Sequence, residues 1–114
     1  AAHMACLCGA HIIKVKLPTS YIEDDPTKDA FIKNNIKIDT AVDRVKVIKR
    51  SCFNGRRIVV FSGGEAKDDD ELLNEVRAIK DGGGNGSIVG RNCFQRSKKE
   101  ALALLDKMFS IYKN

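Results

Sequence analysis

Tryptophan is missing from this 114-residue chain, and phenylalanine and tyrosine bring the aromatic share to only 6%. No five basic residues occur in a row, although the formal net charge is +5. Nucleic-acid binders pair clustered cations with aromatic stacking platforms, so nucleic acid is not an expected partner. The scattered surplus of charge suits small phosphorylated anions better. Apolar runs are short as well. None approaches the roughly 18 residues that span a bilayer, and no charged-then-apolar leader opens the sequence. No membrane partner is expected, and the expected compartment is the cytoplasm. The four cysteines form no C-x-x-C pair and only two histidines accompany them, so neither a metal nor a cofactor is expected, and the thiols should be reduced and mostly buried.

What is present fits one small globular domain. Hydrophobic residues make up 43% and charged residues 31%, enough for one core and too little for a second. The stretch His11-Ile12-Ile13-Lys14-Val15-Lys16-Leu17-Pro18 reads as a strand interrupted by two amines. Side chains alternate along a strand, so His11, Ile13, Val15 and Leu17 form an apolar face, and Ile12, Lys14 and Lys16 share the other. In a parallel sheet covered on both faces, a buried ammonium costs several kcal/mol unless it is paired or neutral. An amine shielded from water beside a like charge is poised to form a Schiff base with a carbonyl. Lys14 is therefore expected to be shielded and reactive; an edge strand with two solvated lysines is the plain alternative.

Ala1 to Cys8 is short, apolar and stopped by Gly9, which suits the last turns of a helix, so the sequence is expected to begin partway through a larger protein. Pro18 to Lys37 is long and polar, with Asp24-Asp25-Pro26 expected to break regular structure and at most one helical turn around Lys28 to Lys33. Such a connection is expected to be a lid or a subunit-contact loop. Asp39 or Thr40 caps a helix reaching about Phe53, with Ala41, Val45, Ile48 and Cys52 inward and Asn54-Gly55 ending it. Arg57 to Phe61 is a β-branched strand running into Ser62-Gly63-Gly64. Asp68 to Glu71 opens the next helix through capping and favourable charge, and Leu72, Leu73, Val76 and Ile79 follow. Gly82 to Gly86 precedes a strand and lacks G-x-G-x-x-G spacing, so it is a turn and not a nucleotide loop. Ser87 to Val89 is the third strand, ending at Gly90-Arg91-Asn92 and a short helical turn. Ser97 to Glu100 is a capping box, and Ala101, Leu105, Met108 and Tyr112 form the expected inward stripe of the last helix.

Alternation of strand and helix implies parallel strands with right-handed crossovers, hence an α/β fold. A closed barrel needs about eight such units over roughly 250 residues, and this chain would supply three. Ligands in such folds gather at the carboxyl ends of strands, where this sequence has Lys14 with Lys16, then Ser62-Gly63-Gly64, then Gly90-Arg91-Asn92. Glycines let backbone N–H groups meet a phosphate, and Arg91 adds a two-pronged donor. The last two strand ends of a barrel are a frequent phosphate site, so the glycine corners suit the seventh and eighth strands and the lysine strand the sixth.

The segments Gly9 to Thr19, Ser62-Gly63-Gly64-Glu65 and Gly90-Arg91-Asn92-Cys93-Phe94-Gln95-Arg96 together resemble the class I fructose-bisphosphate aldolases of the archaeal type, found also in bacteria. The resemblance covers essentially the whole chain. It implies a (β/α)8 TIM barrel of which residues 1–114 are the carboxyl-terminal part, with strands six to eight. It implies a Schiff-base lysine at Lys14 and a substrate-phosphate site at Ser62, Gly63, Gly64, Gly90 and Arg91. Fructose 1,6-bisphosphate would be cleaved to dihydroxyacetone phosphate and glyceraldehyde 3-phosphate in glycolysis or gluconeogenesis, without metal, in a cytoplasmic homo-oligomer. Lys16 has no firm counterpart. The family's acid/base tyrosine lies on an earlier strand and neither Tyr21 nor Tyr112 matches it, so this piece alone is expected to turn over little or nothing. A related lysine aldolase for another phosphorylated sugar and a non-catalytic phosphate-binding α/β fragment are the alternatives.

Overall fold

A computed structural model describes all residues, 1–114. Its centre is a parallel sheet of three strands in the order β1 (Ile12–Lys16), β2 (Ile58–Ser62) and β3 (Gly86–Ile88). Helix α1 (Ala2–Leu7) leads into β1, α2 (Asp25–Lys33) and α3 (Ala41–Ser51) connect β1 to β2, and α4 (Asp69–Asp81) connects β2 to β3. After β3 come the short α5 (Arg91–Phe94) and the long α6 (Lys98–Lys113). Each expected strand is present.

Strand alternation divides the sheet into two unlike faces. Ile13 is paired with Val59, and Val15 with Phe61, which in turn pairs with Ser87. Ile13, Val59 and Phe61 are buried there against Ala2 and Cys6 of α1, Val45 and Cys52 from α3 and its end, and Ile79 of α4. Leu72, Leu73 and Val76 of α4 join Leu104 and Met108 of α6 in a second cluster on the outer side of the same layer. On the opposite face no helix lies: Ile12 is 63% exposed, Ile58 47% and Ile88 45%. That face also carries Lys14, Lys16, Val60 and Ser62.

Local chemistry sets the helix ends. Thr40 and Asp43 make a capping box for α3, Asp68 accepts from the Glu71 amide at 2.8 Å to start α4, and Ser97 and Glu100 repeat the box at α6. Gly82 and Gly84 are required where α4 turns into β3, because a Cβ on Gly82 would lie 2.4 Å from Val45 and one on Gly84 would lie 2.5 Å from Ile79. At that end the Asn85 side chain accepts from the Val59 amide at 2.9 Å and from the Lys49 ammonium, which confirms the run as a structural turn.

Two sequence expectations need correction. The segment after Pro18 holds the nine-residue α2, and not a single turn. Pro26 sits in its first turn, where the missing N–H is no loss, and Asp24 accepts from the Thr27 amide at 2.9 Å. In α6 the fully buried positions are Leu104 and Met108, whereas Ala101, Leu105 and Tyr112 flank them half-buried. The stripe is rotated because α6 packs on α4 and only its last turn reaches the sheet, where the Tyr112 hydroxyl meets Ser87 Oγ at 2.5 Å. All four thiols are free, with Cys6 and Cys52 buried, Cys93 half-buried and Cys8 exposed.

Two measurements check this packing. Gly84→Ala should lower stability by about 1–3 kcal/mol through overpacking, read as an earlier urea midpoint, while Gly64→Ala, with open space around its Cβ position, should leave the midpoint unchanged. Alkaline unfolding should begin from about pH 10 upward. Burial holds the Tyr112 phenol above its ordinary value, and the hydrogen bond that the Lys67 ammonium donates to Glu75 holds that ammonium above its own. For both groups the folded state keeps a proton that the unfolded chain releases, so stability is complete below the ordinary values and falls as pH rises through the raised ones.

Candidate phosphate and amine site at the strand ends

The β1–β2 register brings the sequence-derived residues to one end of the open face. Lys14 is the register partner of Val60 and Lys16 that of Ser62. Two residues along a strand cover about 7 Å and neighbouring strands lie about 5 Å apart, so Lys14 and Ser62 stand about 9 Å apart, backbone to backbone, on one face. The Ser62 hydroxyl approaches the Val15 carbonyl at 3.5 Å, which keeps it at the β1 edge of that corner.

The expectation of a shielded amine is not met in this chain. Lys14 and Lys16 are exposed, and only the alternate side chains Ile13 and Val15 turn into the core. The reason is the one-sided cover of the sheet: helices occupy the Ile13 face and nothing occupies the Lys14 face.

Ser62-Gly63-Gly64 and Gly90-Arg91 stand side by side. The Gly63 N–H donates to the Ile88 carbonyl at 3.1 Å, which extends the β2–β3 ladder by one bond and leaves that amide unavailable to a ligand. Gly64 and Arg91 make no such use of their amides: neither N–H has a backbone acceptor. A Cβ on Gly64 would meet nothing within 4 Å, so a ligand atom has room against this backbone. Arg91 is exposed, and its guanidinium reaches the Gly64 carbonyl at 3.5 Å across the gap between the two corners. The Gly64 and Arg91 amides, which have no backbone acceptor, and the Arg91 guanidinium thus lie at the same end of the sheet as the Ser62 hydroxyl.

Asn92 is the residue that sequence reasoning quoted without a role. It is 4% exposed, and its carboxamide is fully used: Oδ1 accepts from the Lys67 amide at 2.7 Å and Nδ2 donates to the Glu65 carbonyl at 3.0 Å. Both bonds cross from α5 to the loop after β2. Arg96 completes the tie, its Nε donating to the Asn92 carbonyl at 2.6 Å while its guanidinium pairs with Asp69 at the start of α4. Lys67 is held to α4 by Glu75 and, at 3.6 Å, by Glu71. The only sequence signal was a short polar residue directly behind a glycine corner, too common to single out.

A wide groove of about 730 Å³ lies elsewhere, between α2 and α3, and shares no residue with these corners.

Comparison with known proteins gives the family. A family model described as DeoC/LacD family aldolase matches residues 1–96. The chain belongs to the DeoC/LacD family of aldolases. Within this aldolase family it is 32% identical over 122 residues to a probable fructose-bisphosphate aldolase class 1 of Chlamydia trachomatis, a match that covers 98% of this chain and 34% of the relative. A protein of the same description from Chlamydia pneumoniae is 31% identical, again covering 98% of this chain and 34% of the relative. The crystal structure of an archaeal fructose 1,6-bisphosphate aldolase superposes with a TM-score of 0.58 at 28% identity, covering 96% of this chain and 35% of the other. The chain therefore spans about a third of the length of these aldolases, and it matches them as a partial α/β fold.

Asn92→Ala strands the Glu65 carbonyl and the Lys67 amide. It should cost about 1–3 kcal/mol in urea unfolding and accelerate hydrogen exchange at the Lys67 amide relative to amides of α6.

Proposed function

We propose that this chain forms the amine-bearing and phosphate-gripping part of a Schiff-base aldolase acting on fructose 1,6-bisphosphate, with β1, β2 and β3 as the sixth, seventh and eighth strands of a (β/α)8 barrel. One observation carries the reading: Lys14 lies on the same sheet face as Ser62, two register steps before it, and Ser62 opens the corner where the Arg91 guanidinium reaches the Gly64 carbonyl. Membership of an aldolase family supports it.

In this reading the phosphate of the ketose sits between Gly64 and Gly90-Arg91, with Ser62 donating its hydroxyl and Gly63 contributing its small size. The grip turns an encounter into a positioned attack, which is where most of the rate advantage of such a site originates. The Lys14 amine adds to the C2 ketone and water leaves, giving an iminium. The electron pair of the C3–C4 bond then moves toward C2 and the iminium nitrogen, forming an enamine. The C4 hydroxyl gives up its proton to a base and becomes the aldehyde of glyceraldehyde 3-phosphate. Protonation of the enamine at C3 and hydrolysis by water return the free amine and release dihydroxyacetone phosphate. Neither tyrosine of the chain serves as that base: Tyr21 is exposed, and Tyr112 bonds to Ser87 on the helix-covered face. The base is assigned to the two thirds of such aldolases that this chain does not span, so the chain by itself forms the iminium with little or no turnover. The reading places the reaction in cytoplasmic glycolysis or gluconeogenesis.

The exposure of Lys14 favours a second reading, a phosphate-binding fragment without covalent chemistry. A third, a lysine aldolase for a different phosphorylated sugar, is compatible with a family description that names no substrate.

Borohydride reduction in the presence of dihydroxyacetone phosphate separates these. The aldolase reading expects a stable adduct that maps to Lys14 by mass spectrometry, and none in Lys14→Arg. Gly64→Ala should fold normally and need about tenfold more ketone phosphate for the same labelling, because its methyl group takes the space that the phosphate needs against this backbone. An adduct at another lysine removes the assignment, and phosphate binding without any adduct favours the non-covalent fragment.

A further inference from the structure

Lys16 has no part in the chemistry assigned to Lys14, yet it stands nearer the glycine corner. Its register partner on β2 is Ser62, about 5 Å away across the ladder, whereas Lys14 lies about 9 Å from the same residue. The neighbours of Lys16 in sequence fix the side on which it lies. Val15 and Leu17 pack half-buried against the core cluster, so the lysine between them takes the open face, where it is exposed. The gap to Ser62 is shorter than the flexible four-carbon stem of a lysine with its ammonium. That ammonium is therefore free to stand over the Ser62 hydroxyl.

The charges around the corner leave this ammonium a specific task. Lys67 is taken by Glu75 and Glu71, and Arg96 by Asp69. Lys16, Arg91 and Glu65 take part in no ion pair, and all three are exposed. Arg91 and Glu65 offset each other, and farther along the loop Asp68, Asp69 and Asp70 open α4, so the surroundings of the β2 corner are otherwise acidic. Lys16 thus supplies the surplus positive charge at the corner. A phosphate ester carries nearly two negative charges at neutral pH. The Arg91 guanidinium, which also reaches the Gly64 carbonyl at 3.5 Å, meets only part of that demand. The Gly63 amide is spent on the Ile88 carbonyl at 3.1 Å, so an anion at this corner needs a further donor from outside it.

We infer that Lys16 is a phosphate-binding residue of the site, its ammonium closing over the anion from the β1 side while Gly64 and Arg91 hold it from the other. That the ligand is a ketose phosphate rests on the aldolase reading; the contact between ammonium and phosphate does not. A lysine suits the task because its ammonium meets a phosphate as a point charge on a flexible stem. Work along β1 is then divided by register. Lys14 addresses the ketone carbon, and Lys16, about 7 Å further along the same face, addresses the phosphate a few bonds away from that carbon.

Ketones with and without a phosphate separate this role from amine chemistry on the full chain. Lys16→Met should raise the dihydroxyacetone phosphate needed to half-label Lys14 under borohydride by about tenfold, and leave labelling by unphosphorylated dihydroxyacetone unchanged. Lys16→Arg should recover most of the loss. Inorganic phosphate gives a second readout: it should move the Gly64 and Arg91 amide signals saturably in NMR spectra, with about tenfold more phosphate required in Lys16→Met. Lys46→Met, which removes the same charge from α3, should titrate as wild type. Equal loss with both ketones overturns the inference, because Lys16 would then act on the amine and not on the phosphate. So does a Lys16→Met titration identical to wild type, a loss matched by Lys46→Met, or a wild-type chain whose two amides ignore phosphate. A phosphate response that depends on Lys16 in a chain that never labels at Lys14 removes the aldolase reading and leaves this inference standing.

Discussion

The Asn92 carboxamide is the interaction on which the candidate site depends. A buried amide with one donor and one acceptor satisfied across a loop junction is expensive to lose, because each abandoned backbone partner keeps its desolvation penalty. Here the two bonds fasten α5 to Glu65 and Lys67, and Arg96 carries the tie onward to Asp69 at the start of α4. The two glycine corners are otherwise separate turns on neighbouring strands, linked by the ladder bond from Gly63 to Ile88 and by the Arg91 guanidinium on the Gly64 carbonyl. Fixing their spacing is what turns separate loop backbones into one anion-sized recess. Asn85 does the corresponding job at the opposite end of the sheet, where it bridges Val59 and Lys49. One strand, β2, is thus tied at both ends by asparagine side chains.

The second constraint is the one-sided cover of the sheet. Ile13, Val59 and Phe61 are buried under helices, while Ile12 and Ile58, in register with each other, and Ile88, in register with Ser62, are exposed on the open face. Parallel strands are ordinarily buried on both faces, and exposed aliphatic side chains on such a face mark a surface made to be covered. Lys14 belongs to that face, so its environment is set by whatever closes over the isoleucines. The proposed barrel explains why aliphatic residues and amines alternate with each other on a face that is open in this chain.

Much of this architecture was legible from residue order. Strand periodicity divides Ile12 to Lys16 into the two faces observed, the capping box at Ser97 marks the start of α6 to the residue, and Asp39 or Thr40 marks that of α3 to within one. The glycine run before β3 was separable from a nucleotide loop because a strand follows it. Four features escape. Pro26 reads as a breaker, although at the second position of a helix its missing N–H is no defect. The stripe of α6 was assigned as if the sheet were its partner, but α4 is, and a helix packing on a helix presents a different arc. The shielding of Lys14 was inferred from strand composition, yet burial is a property of both faces and only one is covered here. Asn92 escaped for another reason: side-chain bonds between loops distant in sequence leave no periodic trace.

A crystal structure of the chain after borohydride reduction with dihydroxyacetone phosphate tests the central claim most directly. The account predicts continuous density from the Lys14 amine to C2 of the ketone, with the phosphate held between the Gly64 amide and Gly90-Arg91. Density for the phosphate anywhere else, or an unmodified Lys14 beside a filled recess, would contradict it.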